Sequence, residues 1–309
     1  MKKLAPKKNP GKIPSPVKKE ALPVKAPSKQ DPAVWYGAIV LIVVCFVFYG
    51  NTFRLNYAFD DLMVITGNQF VKQGFHGVGD ILSTDFFTGF FGKDQSMVSG
   101  GRYRPLSLVT FAMEYQLFGE NPMISHLVNV ILFTVVCVLL MILLRKFAVS
   151  GGFSPGKDAW YVSAPLIISL LFAAHPIHTE VVTNIKSRDE ILALLFCLLT
   201  LWFSLKFLKE QKAWWILPGG LSFFLAMLAK ENSVTFLLIQ PVTIYLFSKY
   251  KIKNNLVALI PPVIATIIFL LIRQAVVGHA CSPLANDLMN NPFVEMNLPQ
   301  KYATILYTL

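Results

Sequence analysis

Cysteine is scarce in this chain and poorly placed for any disulfide or metal framework. Only four occur in 309 residues: Cys45, Cys137 and Cys197 fall inside apolar runs, and Cys281 alone falls in a connection. No Cys-x-x-Cys or other metal-type spacing is present, which excludes the small disulfide-stapled class and a zinc ribbon. Acid is thin as well, with 17 Asp and Glu against 28 Lys and Arg, for a formal net charge of +11. A glycine-rich phosphate loop and a dinucleotide fingerprint are both missing, so no soluble-nucleotide site is expected. The first residues are rich in Lys and Pro rather than apolar, so they are not a cleavable signal peptide, and the first apolar run must itself act as signal anchor.

Apolar sequence is what the chain has in excess: 54% of it is hydrophobic and 25 residues are Phe. Seven runs carry no charge, namely 34–49, 124–144, 161–174, 191–205, 214–229, 234–247 and 256–272. Several approach the roughly 20 residues that cross a bilayer, which predicts an all-α, polytopic transmembrane helix bundle of about seven spans. The run 161–174 is short, so it must recruit 175–182 or be a broken helix. Lysines and arginines alternate between connections. Eighteen of the 28 fall before the first run or in every second connection (Arg145, Lys146 and Lys157; Lys206, Lys209 and Lys212; Lys249, Lys251 and Lys253), which predicts a cytoplasmic N-terminus.

Residues 1–32 read as a disordered basic cytoplasmic tail broken by prolines, better suited to anionic lipid than to nucleic acid. Residues 33–277 form the membrane domain, with an external loop at 51–121 too polar to span and rich in Phe. Within it, Pro105–Phe118 has helical spacing and predicts an interfacial helix. Residues 278–309 read as an external loop and the start of a further segment. The sequence turns apolar again at Tyr302–Leu309 and stops without a closing signal, as in a truncated chain.

Charged residues concentrate in the external connections. Asp60 and Asp61, in YAFDD, offer either a base for an acceptor hydroxyl or a helix N-cap. Arg102 and Arg104, in GRYRP, suit phosphate oxygens or lipid headgroups. His175, His178 and Glu180 follow the third run, with Lys186, Arg188, Asp189 and Glu190 close behind; they read as local salt bridges or as the wall of a membrane-level cavity. A zinc site from the two histidines lacks a third ligand nearby. Lys230 and Glu231 lie between two apolar runs and are expected to pair with each other or to face a site. His126 and Asn129 share one helix face and suit interhelical hydrogen bonds.

Four segments taken in order, YAFDD, SGGRYRPLSLVTFAMEYQLFGENPMISHLVNVILF, HPIHTEVVTNIKSRDEILALLF and AKENSVTFLL, resemble the membrane half of the transmembrane and tetratricopeptide-repeat O-mannosyltransferases. More distantly they look like protein O-mannosyltransferases and other GT-C glycosyltransferases. The resemblance covers roughly residues 35–275. It implies a GT-C fold, catalysis on the extracytoplasmic face, a polyprenyl or dolichyl phosphate sugar as donor and a protein or glycan hydroxyl as acceptor. It puts the acidic motif on Asp60 and Asp61, with Asp60 favoured as base. Arg102, Arg104, Lys186, Arg188 and Lys230 become donor-phosphate candidates, and His175, His178, Glu180 and Glu231 shape the pocket. No Asp-x-Asp occurs, so neither metal nor cofactor is expected. No repeat region lies within these residues. The competing readings are a transporter or lipid flippase, whose charges belong near the midplane, and a noncatalytic membrane anchor.

Overall fold

The computed structural model describes residues 32–92, 101–150, 160–248, 250, 252–278, 293 and 295–308. The expected basic tail, Lys157, Lys249, Lys251 and Cys281 lie outside these residues. Among the described residues the secondary structure is helical. Apolar composition over 18 residues or more gives four helices long and apolar enough to cross a membrane: α1 (Pro32–Tyr49), α6 (Pro122–Ser150), α9 (Arg188–Glu210) and α12 (Ile252–Val277). Between α1 and α6 come the short helices α2 (Gln69–Lys72), α3 (Val78–Ser83) and α4 (Thr88–Phe91), then α5 (Pro105–Phe118). Further on lie α7 (Ala164–Ala174), α8 (His178–Thr183), α10 (Ile216–Ala229) and α11 (Phe236–Phe247), and α13 (Leu298–Thr308) comes last.

Each of the seven apolar runs is therefore a helix, but three fall short of a full span. The 11 residues of α7 reach about 17 Å at 1.5 Å per residue, against a hydrocarbon core of about 30 Å. Its run is the expected broken helix: His175 turns to extended backbone, Pro176 follows, and α8 resumes at His178. A similar break separates α10 from α11, where Lys230 is extended and a turn at Glu231–Thr235 intervenes.

One apolar core runs through α1, α6, α7, α9, α10 and α12, and α9 packs most extensively against α10. Small residues and side-chain hydrogen bonds supply the close contacts that lipid cannot drive. Gly37 on α1 lies so near Met141 on α6 that an added Cβ would stand 2.7 Å from its sulfur. Gln240 on α11 donates to Ser204 Oγ on α9 at 3.0 Å, and Asn255 on α12 donates to the Pro241 carbonyl at 2.8 Å.

The loop between α1 and α6 folds into a cap with its own core of Val64, Ile65, Val71, Ile81, Phe86, Leu108, Phe111 and Ala112. Helix α5 has the bounds expected from sequence, opening on Pro105 at its first position, where the missing N–H costs nothing. Ile185, fully buried, comes from the start of the third long helix and enters this same core, fixing the cap to the bundle. The tightest point of the cap is Gly77, where a Cβ would sit 1.9 Å from the Phe70 carbonyl oxygen. Gly77→Ala is expected to lower stability in detergent unfolding curves by about 1–3 kcal/mol, the usual cost of overpacking. Gly79→Ala, with open space around the new Cβ, should leave the curve unchanged.

Candidate functional site

The segment NIKSRDE, residues 184–190, organises the polar end of the bundle. Asn184 breaks α8 with an extended backbone, a 3-10 turn follows at Ile185–Ser187, and α9 begins at Arg188. Asp189 and Glu190 occupy the first turn of α9, where carboxylates are favoured by the helix dipole. The side chains of Lys186, Arg188, Asp189 and Glu190 then meet different parts of the chain.

Arg188 is fully buried and forms an ion pair with Glu114 of α5. Its Nε donates to Asn129 Oδ1 of α6 at 2.7 Å, and further donors reach Thr110 Oγ1 at 3.2 Å and the Ser125 carbonyl at 3.0 Å. The guanidinium carbon lies 4.3 Å from the Phe111 ring centroid. Nearly every donor of the fork is thus occupied within the protein, which is what a cation needs when it has left water. Asn129 also donates to the Asn184 and Ile185 carbonyls at 3.4 and 3.3 Å, completing the interhelical role expected of it. His126, also buried, has no hydrogen-bond partner for either ring nitrogen among the described residues.

Asp60 and Asp61 part company despite being neighbours. Phe59 before them adopts a left-handed backbone, φ 44°, and is almost fully exposed. Asp60 stays half exposed and faces Lys186 Nζ at 3.7 Å. Asp61 is buried and accepts the Ala58 amide at 3.0 Å and the Lys186 amide at 2.9 Å. It makes no side-chain cap bond to the turn at Leu62–Thr66. Burial raises the Asp61 carboxyl above its ordinary value; the two amide donors and Arg188 act the other way, and the Asp60 charge adds to the rise.

Arg104 sits before α5 and bridges two elements, with Nη1 on Asp189 at 3.2 Å and Nε on Glu231 at 2.7 Å. Lys230 pairs with Glu190. The expected Lys230–Glu231 pair is therefore replaced by two cross-element pairs, because extended backbone at Lys230 sends successive side chains opposite ways. Arg102 lies 5.4 Å from the Phe87 ring centroid, and its amide donates to Asp85. Tyr103 between the two arginines is buried and donates its hydroxyl to the Leu82 carbonyl at 2.9 Å.

His175, His178 and Glu180 stand around the break between α7 and α8. His175 and Glu180 are exposed. His178 packs 4.2 Å from the Phe172 ring and 5.5 Å from the Phe133 ring, and burial, with His175 beside it, lowers its basicity. A cavity of about 170 Å³ opens here, lined by Phe133, Phe172, His178, Val181, Glu190 and Leu194. It is apolar along α6, α7 and α9 and polar where Glu190 meets Lys230. Asp60, Lys186, Arg104, Arg188 and Lys230 thus all attach to one helix start, although Asp60 and Arg104 reach it through different residues. Glu114 was missing from the site expected from sequence, and Asp189 and Glu190 were read there as salt bridges or cavity wall without their partners Arg104 and Lys230. Their signal was present as carboxylates in apolar surroundings, each demanding a cation.

Two outcomes follow from this geometry. Arg188→Met leaves Glu114 without its partner and is expected to destabilise the protein by about 3–5 kcal/mol, read from thermal unfolding in detergent; Arg188→Met combined with Glu114→Leu should recover most of that loss. For Asp61, the raised folded value means that its contribution to stability is full below the ordinary carboxylate pKa of about 3.9 and is lost as pH rises through the folded value. Stability measured against pH should therefore fall over that window in the parent protein, and Asp61→Asn should flatten the fall.

No family model matches the chain, and no solved structure matches it. Curated relatives do. It is 32% identical over 219 residues to Protein O-mannosyl-transferase Tmtc3 of Drosophila melanogaster, covering 64% of this chain and 23% of that protein. It is 33% identical over 229 residues to Protein O-mannosyl-transferase TMTC4 of Homo sapiens (68% and 29%). Against Protein O-mannosyl-transferase TMTC2 of Homo sapiens the figure is 32% over 220 residues (67% and 24%). The chain spans about a quarter of the length of the curated relatives it matches. Over these residues it is homologous to the transmembrane and tetratricopeptide-repeat family of protein O-mannosyl-transferases that its four motifs resemble.

Proposed function

We propose that this protein is a membrane glycosyltransferase that moves a mannose-like hexose from a polyprenyl or dolichyl phosphate to a protein hydroxyl on the extracytoplasmic face. The observation that carries this reading is the cluster of exchangeable ion pairs at the start of α9, beside an apolar cavity, in a chain homologous to proteins named protein O-mannosyl-transferases.

Burial separates the cations into two groups. Arg188 is 0% exposed and the partner of Arg104, Asp189, only 1%. These pairs hold α5, α6 and α9 in place, so we assign Arg104 and Arg188 to positioning rather than to direct phosphate contact. Lys186 and Lys230 have partners, Asp60 and Glu190, that are 45% and 44% exposed. A pair with one solvent-exposed partner exchanges more readily than one buried on both sides. A donor phosphate arriving at Lys186 and Lys230 takes over both ammonium groups. As the glycosidic bond breaks, the leaving phosphate is stabilised by those ammonium groups in a poorly hydrated site. The exchange frees the Asp60 carboxylate, which takes the acceptor proton, while Asp61 keeps its two amide bonds and fixes the loop. The isoprenoid chain lies along the apolar cavity, with His178 and Glu190 in its wall.

The ionisable pairs here gather at one end of α9 rather than at its middle, which favours surface chemistry over the alternating access of a flippase. Transfer from polyprenyl phosphate mannose to a Ser/Thr peptide, assayed with protein reconstituted in vesicles, tests the reading. Asp60→Asn should lower turnover by about 10²–10⁴-fold, the worth of a general base, with insertion and unfolding temperature unchanged. Normal turnover in that variant would remove the assignment. Lys230→Gln should raise the donor KM by about ten-fold, the equivalent of about 1.4 kcal/mol, with little change in the acceptor KM.

A further inference from the structure

The opposite end of the bundle carries a second built cluster that the proposed transfer does not use. Lys206 stands 18 residues beyond Arg188 on α9, or about 27 Å along the axis, so the two clusters lie at opposite faces of the hydrocarbon layer. Lys146 of α6 places its Nζ 3.2 Å from the Trp202 ring centroid, and Lys206 places its own 5.3 Å from that of Trp215. Trp202 and Lys206 stand one turn apart on α9 and Lys209 follows three residues on, so Lys146 meets the same stretch of that helix. One carboxylate serves this group: Glu210 accepts from Lys206 at 3.4 Å and from the Trp215 indole at 3.0 Å, and meets Lys212 at 3.8 Å. Among the described residues Lys146 and Lys209 have no carboxylate partner. One acid among four lysines leaves, among the described residues, a positive face that attracts a further anion.

The surroundings say what kind of anion. Trp214 is 57% exposed and Leu217 77%, an aromatic and apolar rim typical of the membrane interface. A soluble phosphate would use the lysines and leave this rim in contact with nothing it can bind. A phospholipid uses both, with its headgroup on the ammonium groups and its acyl chains against the apolar rim. We propose that Lys146, Lys206, Lys209 and the Trp202–Trp215 shelf form a binding site for an anionic glycerophospholipid, at the face opposite the Asp60 cluster. The site requires only that the chain lie in a bilayer and stands independently of the transferase reading.

Tryptophan fluorescence of the protein carrying Trp35→Phe and Trp160→Phe, titrated with bromine-labelled phosphatidylserine or phosphatidylcholine in mixed micelles, reports on the shelf directly. Quenching by the anionic lipid is expected at a much lower mole fraction than by the zwitterionic one. Lys146→Gln with Lys209→Gln should raise the required mole fraction by about 25-fold, at about five-fold per lysine, whereas Lys146→Arg with Lys209→Arg should keep the preference. Lys209→Gln alone, at an exposed position, should show the single five-fold step and covers the case in which the double variant does not fold. Equal quenching by the two lipids, a preference that survives the glutamine substitutions, or displacement by soluble glycerol phosphate would each overturn the proposal.

Discussion

A guanidinium taken out of water at the edge of a membrane must find an anion and fill its fork, and Arg188 does both with residues from two other parts of the chain. Glu114 and Thr110 come from α5, Asn129 and Ser125 from α6, and the backbone of 184–185 closes the circle through Asn129. Because an unpaired charge there is so costly, the start of α9 admits few other arrangements of these helices. The positions of Lys186, Asp189 and Glu190 follow from it. Their partners Asp60, Arg104 and Lys230 are thereby brought to one end of the bundle from three different connections.

Two cores share this junction. The membrane core is largely apolar, with its helices held by buried hydrogen bonds from Gln240 and Asn255. The cap has a separate core, and Ile185 belongs to it although it is only three residues from Arg188. A single turn of chain thus links a lipid-bathed bundle to a small folded cap. The left-handed Phe59 and the two amide bonds to Asp61 complete the link from the other side. That geometry leaves Asp60 half exposed while Asp61 is held, a division of labour between adjacent carboxylates set by environment alone.

Much of the helical plan was legible in the sequence. Charge-free runs gave the helices, Pro105 and the spacing to Phe118 gave α5, and the shortness of 161–174 gave the break at His175 and Pro176. Composition could not separate full spans from short ones, since α10 and α11 are as apolar per residue as the helices that cross. Pairings were the harder part. Sequence adjacency suggested Lys230 with Glu231, but extended backbone at 230 divides them between Glu190 and Arg104. Glu114 and Arg188 are 74 residues apart, and nothing local to either names the other. Arg188 looked like a ligand because it is a cation in a connection; burial makes it part of the frame.

The most direct test of this account is a charge swap at the junction, with Lys230→Glu, Glu190→Lys and the two combined, followed by thermal unfolding in detergent. Pairing across α9 and the α10–α11 break predicts that each single reversal lowers the unfolding temperature by placing like charges together and that the double variant regains most of the loss. A double variant whose loss equals the sum of the two single losses would contradict it.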